Sequence, residues 1–457
     1  VSNDTIVAIS TPRGMGGIGV VRVSGPSALL ITSRIFSNEL SEPNHAYVGF
    51  VFNPETKKRI DSAIVTYFRA PNSYTGEDVC ELSMHGGIVN LELLLKAIIE
   101  QGARVAERGE FTKRAFLNGK MDLVEANAVI ELIEARTEKA LSIASSRLFG
   151  ELSNSVNKFR QELVELISLL EAPIDFPFDA DSPTKEAVLR NLLQLRGETL
   201  DFLSTYKAGK AFENGASVVI AGKPNVGKST LLNTLLKFDR AIVSEIPGTT
   251  RDTIEEVIDF YGIPVRLIDT AGYRLQPDSL CSSAEFIESL GIERTRKAIE
   301  SADLVLFVFD AGDEITEEDI TLAKLTEGKD RIIVLNKEDV TKLTTIEALE
   351  SLFKNEEVIE ISALYKKGID ILEKAIYKKI VPNEYEIPLI TSEREKRIFE
   401  DILGHIDESI DIKNTDKNDE LVVEELKFAL ENISEFFGQN VGSEVLSNIF
   451  SKFCIGK

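Results

Sequence analysis

The sequence predicts a multidomain fold: an N-terminal α+β domain, a central all-helical domain, and an α/β P-loop domain inserted between two halves of the helical one. Three observations lead there. The 457 residues exceed one ordinary domain, so two to four domains are expected. The hydrophobic period changes along the chain from strand-like to helical, then to strand-helix alternation, and back to helical. The segment Gly222 to Ser229 reads GKPNVGKS, a phosphate-binding loop between an apolar run and a helical one.

Residues 1–118 alternate short β-rich runs (TIVAI, GVVRVSG, YVGFVF, SAIVTYF, VCELSMHGG) with one helical stretch near Val89 to Gln101, the pattern of an α+β domain. Residues 119–212 form the first helical part. Leu163, Leu166, Ile167 and Leu170 recur at i, i+3, i+4 and i+7, which reads as bundle core. Pro173, Pro177 and Pro183 should break this helix, and another is expected from about Thr184 to Tyr206. In residues 213–380 the runs SVVIAG, VRLIDT, LVLFVFD, RIIVLNK and VIEISA alternate with helical segments, so a parallel sheet with helices on both faces is expected. Residues 381–457 return to helical period through Glu393 to Ile412 and Leu421 to Phe437, giving the second helical part and a terminal CIGK. His85, followed by Gly86 and Gly87, reads as a tight turn in which close backbone approach accounts for the glycines.

Composition narrows the function classes. With 43% hydrophobic and 28% charged residues the chain is an ordinary globular one. No apolar run approaches the roughly 18 residues of a membrane span, and VSNDTIVAISTPRG has no secretory-signal pattern, so a cytoplasmic protein is expected. Cys80, Cys281 and Cys454 are odd in number and far apart, as are His45, His85 and His405, so neither a disulfide framework nor a zinc site is expected. The net charge of −23 divides into +1 over residues 1–120 and −24 over the rest. Such a body repels polyphosphate at long range, so contact with nucleic acid requires a local site or a basic partner.

The chemistry is concentrated in residues 222–364. Backbone N–H groups around Asn225, Val226, Gly227, Lys228, Ser229 and Thr230 can wrap phosphates; Lys228 reaches the terminal phosphates and the Ser229 hydroxyl can ligate Mg²⁺. The run Asp269, Thr270, Ala271, Gly272 (DTAG) ends an apolar strand, where the aspartate can hold the Mg²⁺ shell and the glycine N–H can sense a γ-phosphate. In the NKED run, Asn336 and Lys337 precede Asp339, whose carboxylate can accept two N–H bonds from the Watson-Crick edge of guanine. Adenine lacks them, and unpaired buried groups discriminate by a factor on the order of 10⁴ to 10⁵. Ser362, Ala363 and Leu364 fit the loop that supports the guanine carbonyl. Four motifs in this order, each at a strand's C-terminal end, predict a GTP site and GTP hydrolysis.

Small GTPases place a water-orienting glutamine after the DxxG glycine, and here that position is Tyr273. GKPNVGKS, IPGTTRD (Ile246 to Asp252), DTAGYR and IESLGIER (Ile287 to Arg294) together resemble the MnmE (TrmE) family of tRNA-modification GTPases. So do GIGVVRVSG (Gly17 to Gly25), PNSYTGEDVCELSMHGG (Pro71 to Gly87), GEFTKRAFLNGKMDL (Gly109 to Leu123) and CIGK (Cys454 to Lys457), so the resemblance covers essentially the whole chain.

The resemblance implies further roles. Asn225, with the loop Ser244, Glu245, Ile246, Pro247, Gly248 and Thr249, contacts nucleotide; within it Asn225, Ser244, Ile246 and Thr249 bind K⁺, which takes the place of an arginine finger. Thr250 joins Ser229 on Mg²⁺, and Glu288 orients the attacking water once two G domains meet. The N-terminal domain binds 5-formyltetrahydrofolate or a related tetrahydrofolate, methylene-tetrahydrofolate being the carbon donor, through Arg22, Glu81, Lys120 and Lys457. It also drives homodimer formation. Cys454 beside the tail contact is a candidate participant in the chemistry. Partners implied are tRNA and an MnmG (GidA)-type FAD protein, in a heterotetramer or larger complex that adds an aminomethyl or carboxymethylaminomethyl group to C5 of wobble uridine 34. Two other readings stay open: a ribosome-assembly or signalling switch without group transfer, and a scaffold with degenerate nucleotide binding. Intact Lys228, Ser229, Asp269 and Asp339 argue against the scaffold, and folate binding by residues 1–120 separates modification from the switch.

Overall fold

The computed structural model describes residues 4–12, 14–176, 178, 181–238, 257–269, 296–354, 356–383, 385, 389–415 and 418–457. The chain divides into two compact units, residues 1–130 with 148–153 and 431–457, and residues 131–147 with 154–430.

In the first unit six strands form one sheet: β1 (Ile6–Ile9), β2 (Gly16–Ser24), β3 (Ala46–Phe52), β4 (Arg59–Phe68), β5 (Val79–Gly86) and β6 (Arg104–Val105), in the order β3-β4-β5-β2-β1-β6. All neighbours are antiparallel except β1 and β6. The strands alternate, so Val21, Val23, Val65, Leu82 and Met84 are buried in one core with Ile31 and Ile35 of α1 (Ala28–Ile35) and Leu91, Leu94 and Ile98 of α2 (Ile88–Glu100). His85 lies within β5 and not in a turn. The close approach is nonetheless real: a Cβ on Gly86 would stand 2.6 Å from the Gly16 carbonyl oxygen.

The first unit also holds the end of the chain. Phe450 and Phe453, in and just after the last helix (Ser443–Ser451), pack with Leu123, Ala126 and Val129. The tail then folds onto the N-terminal strands: Arg108 bridges to Ile455, Ser10 Oγ donates to the Gly456 carbonyl at 3.1 Å, and Phe111 N–H to that of Lys457 at 3.2 Å. Gly456 has φ +97°, and a Cβ there would meet the Ile9 carbonyl oxygen at 2.5 Å. Residues 431–457, expected to close the helical domain, share a compact unit with residues 1–130 and pack there on Leu123, Ala126 and Val129 of the first helical part.

Further helices among the described residues, in chain order, are α3 (Glu110–Leu117), α4 (Leu123–Glu134), α5 (Glu138–Leu148), α6 (Glu151–Asp175), α7 (Lys185–Asn214), α8 (Lys228–Phe238), α9 (Glu317–Lys324), α10 (Ile346–Leu352), α11 (Ile369–Ile380), α12 (Glu393–Asn414), α13 (Asp419–Phe436) and α14, the helix Ser443–Ser451 already described. Leu163, Leu166, Ile167 and Leu170 are buried as the period requires. Phe202 of α7 stacks between Phe159 of α6 and Phe399 of α12, at centroid distances of 6.3 and 4.7 Å. Two helix limits differ from expectation. Pro173 stands inside α6, two residues from its end, where the lost bond falls on the exposed Leu169. α7 continues past Tyr206 to Asn214 because Ala208, Ala211 and Phe212 remain buried, and Gly209 serves close packing: a Cβ there would meet the Ile390 carbonyl oxygen at 2.1 Å.

The second sheet contains β7 (Ala216–Ala221), β8 (Val257–Phe260), β9 (Ile263–Asp269), β10 (Leu304–Asp310), β11 (Arg331–Asn336) and β12 (Val358–Glu360), ordered β12-β11-β10-β7-β9-β8. All pairs are parallel except β8 and β9. β7 and β10 are buried on both faces, as their unbroken apolar runs require.

Candidate functional site

The phosphate loop leaves the C-terminal end of β7 and enters α8. Its turn needs backbone that few residues accept: φ is +144° at Gly222, +69° at Asn225 and +98° at Gly227. Cβ atoms at the two glycines would lie 2.4 Å from the Val308 carbonyl oxygen and 2.3 Å from Asn336 Nδ2. Lys228 Nζ donates to the carbonyls of Gly222 and Lys223 at 2.8 and 2.6 Å, crossing the loop from inside. Burial lowers the pKa of this ammonium, with Asp269 pulling the other way. Phosphate oxygens would supply the charge this cavity asks for. Ser229 Oγ donates to Asp269 Oδ2 at 2.7 Å, so a hydroxyl and a carboxylate, both hard oxygen donors suited to Mg²⁺, already meet.

Asn336, at the end of β11, ties the loop that holds Ala363 to the loop between β7 and α8. Its Nδ2 donates to the Val226 carbonyl at 2.9 Å and its Oδ1 accepts from Ala363 N–H at 3.0 Å. Ser362 Oγ donates to Asp339 Oδ1 at 2.5 Å, aiming a carboxylate that is otherwise exposed. Lys337 takes φ +66°, and its ammonium lies 2.5 Å from Asp310 Oδ2 at the end of β10. Val226 is buried, Thr230 and Leu364 are exposed. Sequence reasoning passed over Asp310 and also Thr234, whose hydroxyl donates to the Ala363 carbonyl at 3.0 Å. Asp310 closes the run LVLFVFD, and a charge ending a buried strand was the available signal. Ser244, Glu245, Ile246, Pro247, Gly248, Thr249, Thr250, Thr270, Ala271, Gly272, Tyr273 and Glu288 lie outside the described residues.

A second constellation occupies the first unit. Arg22 and Glu81 are register partners on β2 and β5, with Arg22 Nε and Nη2 at 2.9 and 2.8 Å from Glu81 Oε1. The guanidinium also lies over the rings of Tyr74 and Phe111, at 5.0 and 5.6 Å. Its Nη1 is buried without a hydrogen-bond partner, a donor held ready for a ligand. Lys457 is within electrostatic reach: burial and then Arg22 lower its pKa, against Glu81 and Cys454. The folded tail thereby brings Arg22, Glu81, Lys457 and the exposed Cys454 together from opposite ends of the chain. Lys120 stands apart, its ammonium donating to the Pro71 carbonyl at 3.0 Å. Cys80 is no reactive thiol, since burial, against a hydrogen bond with Thr32, pushes it up to about 12. Among the described residues no group of three or more His, Cys, Asp or Glu is placed to hold a metal ion, and no helix is long and apolar enough to cross a membrane.

Both regions match known families. The model of the GTP-binding protein TrmE N-terminus matches residues 5–120, and the model of the MnmE helical domain matches residues 123–454. The chain belongs to the MnmE family. The tRNA modification GTPase MnmE of Carboxydothermus hydrogenoformans is 41% identical, over 99% of both chains. That of Aquifex aeolicus is 40% identical, over 99% of this chain and 100% of its own. Among solved structures, Aquifex aeolicus Era bound to GDP and AlF4⁻ is similar at 26% identity and a TM-score of 0.28, covering 42% of this chain and 67% of that one. As an MnmE-family member the protein is a GTPase involved in tRNA modification.

Proposed function

We propose that the chain hydrolyses GTP to GDP and phosphate to time the modification of wobble uridine 34, where an aminomethyl or carboxymethylaminomethyl group is added to C5. The observation that carries the guanine reading is the linkage through Asn336, which joins the Val226 carbonyl of the phosphate loop to Ala363, beside the Ser362 hydroxyl that aims Asp339. Ser229 and Thr250 hold Mg²⁺, with Asp269 in its outer shell; the short contact between Ser229 and Asp269 supports this. Tyr273 cannot orient water as glutamine does, so Glu288 takes that role, with K⁺ held by Asn225, Ser244, Ile246 and Thr249 where an arginine finger would otherwise reach. Asn225 is exposed on the loop, in keeping with that role.

Residues 1–118 bind a tetrahydrofolate, 5-formyl or in the cell methylene, which supplies the transferred carbon. Arg22, Glu81 and Lys457 hold it, Lys120 reaches its acidic tail, and Cys454 is a candidate participant; the unpaired Nη1 of Arg22 supports the fit. The same domain forms the homodimer, supported by exposed Ile88, Val89 and Leu93 on α2. The helical parts, 119–212 and 381–457, link it to the GTPase domain, 213–380. The complete assembly includes tRNA and an MnmG (GidA)-type flavoprotein and acts in the cytoplasm. The deciding experiment measures hydrolysis in K⁺ and in Na⁺ at matched ionic strength. Strong stimulation by K⁺ that is lost in Glu288→Ala, with GTP affinity kept, is expected; equal rates in the two salts remove Asn225 from its role.

A further inference from the structure

Folate chemistry moves protons on ring nitrogens, and the imidazole is the side chain whose ordinary chemistry exchanges a proton near neutral pH. The outer face of the N-terminal sheet holds one. Glu81, Ser83 and His85 alternate along β5 and so share a face, and register puts Arg22 of β2 beside Glu81 on it. His85 lies about 13 Å from Glu81 along the strand. Between them runs a row of small and apolar residues, Val20, Ser83, Ile64 and Val48, paired across four strands. His85, Ser83, Ile64, Ile18 and Val48 line a shallow groove of about 220 Å³ there.

The imidazole is held for chemistry. Its Nδ1 lies 2.8 and 3.0 Å from the two carboxylate oxygens of Asp61, and its backbone N–H also donates to Asp61 at 3.1 Å. Ser62 N–H and Asn90 Nδ2 donate to the same carboxylate at 2.8 and 3.3 Å. Burial pushes the Asp61 carboxyl up, but these bonds outweigh it and hold the group below its ordinary value. Asp61 is the one ionisable partner of His85 among the described residues. A carboxylate on Nδ1 fixes the N–H there and leaves Nε2 as the exchanging atom. Asp61 is 12% exposed and His85 72%, so the anchor is covered while the ring faces outward. A strand-pinning role alone would leave the exposed imidazole, and its place on the Arg22 and Glu81 face, without use.

We infer that His85, positioned by Asp61, exchanges a proton through Nε2 with a nitrogen of a reduced pterin that lies along this sheet face from Arg22 and Glu81 across the Ile64 row. The inference rests on the folate reading above. The proton passes between Nε2 and the ligand nitrogen, Asp61 retains the Nδ1–H hydrogen bond, and no electrons are exchanged.

The test uses the full chain and 5-formyltetrahydrofolate, with binding followed by calorimetry from pH 6 to pH 8.5. Affinity in the wild type is expected to rise about tenfold toward low pH, because the protonated imidazole donates to the ligand. His85→Gln should give a flat profile at an unchanged thermal midpoint, and Asp61→Asn an intermediate one. The chain has three histidines, so His85→Gln also assigns the ring resonance, which should move when ligand is added. Binding that is lost in Arg22→Ala, yet has the same pH profile in His85→Gln as in wild type and leaves the His85 resonance unmoved, overturns this inference and keeps the folate reading. Absence of binding to the wild type overturns both.

Discussion

Replacing Asp339 by Asn tests the guanine site most directly. The carboxylate receives the Ser362 hydroxyl on Oδ1 at 2.5 Å and, as an ionised group with about four acceptor positions, retains room for both N–H groups of the guanine edge. Each such charge-assisted bond contributes about 1.5–3 kcal/mol. With asparagine one acceptor remains, but the other bond is lost and an N–H faces the guanine amino group unpaired, which together would cost about 2.5–6 kcal/mol, a fall in GTP affinity of roughly 10²- to 10⁴-fold. Asparagine offers one acceptor and one donor, which suits xanthine, whose second edge group is a carbonyl. Titration of a fluorescent GTP analogue and its xanthosine counterpart should therefore show Asp339→Asn losing the first and gaining the second. Ser362→Ala removes the aiming hydroxyl alone and should cost about 0.5–1.5 kcal/mol. Unchanged GTP affinity in Asp339→Asn, or no gain for xanthosine triphosphate, would refute the assignment.

Other substitutions probe what the sites depend on. Gly227→Ala places a Cβ 2.3 Å from Asn336 Nδ2 on backbone at φ +98° and should weaken GTP and GDP alike, by about 30- to 1,000-fold from strain and two lost hydrogen bonds. Arg147, fully buried on α5, pairs with Glu395 at 2.6 Å and Glu131 at 3.0 Å; Arg147→Met should cost about 3–5 kcal/mol in urea unfolding, because it strands the buried Glu395 carboxylate. Burial, against the attraction of Arg147, pushes the Glu131 carboxyl up to about 8, helped by Glu213 and Glu395. The folded state then binds this proton more tightly than the unfolded one, so wild-type stability should fall as pH rises from 6 to 8. Glu131→Gln should lose that slope, and an unchanged slope rules Glu131 out as its source. Brief alkylation followed by mass mapping should label Cys454 in the native protein and Cys80 only after unfolding, since the one thiol is exposed and the other buried.

The candidate guanine site was legible because its parts are local in sequence. GKPNVGKS, DTAG, NKED and SAL each lie at the end of an apolar run, and parallel pairing alone brings such ends together. What could not be read was the bonding between them: Asn336 is 110 residues from Val226 and 27 from Ala363, yet it touches both. The C-terminal limit of α7 depends on contacts distant in sequence, such as the close approach of Gly209 to Ile390, which the local pattern does not show. The return of CIGK to the N-terminal strands had no periodic signal at all, because Gly456 and Ser10 meet through backbone and one hydroxyl. His85 was read as part of a turn because Gly86 and Gly87 follow it; its partner Asp61 is on another strand, and only the folded side-chain contact reveals the pair.

The insertion of the GTPase domain has a physical logic in how its ends are anchored. The chain enters from α7 at Gly215, which has φ +80° and where a Cβ would stand 2.3 Å from the Pro264 carbonyl oxygen. It leaves after α11, and Ile380 and Val381 share one core with Ala208 and Phe212 of α7, so entry and exit lie together. A third anchor is the turn between β8 and β9. Thr137, which caps α5 by accepting from Ala140 N–H, donates its hydroxyl to the Gly262 carbonyl at 2.6 Å, and a Cβ on Gly262 would strike Lys139 at the same distance. β9 then runs about 20 Å from that turn to Asp269, whose carboxylate takes the Ser229 hydroxyl. The helical residues thus hold the N-terminal ends of strands, while nucleotide chemistry belongs to the C-terminal ends. One strand joins the two, so a shift at the phosphate end has a stiff path along β9 and through the Thr137 to Gly262 hydrogen bond to α5 and to Arg147 at its far end.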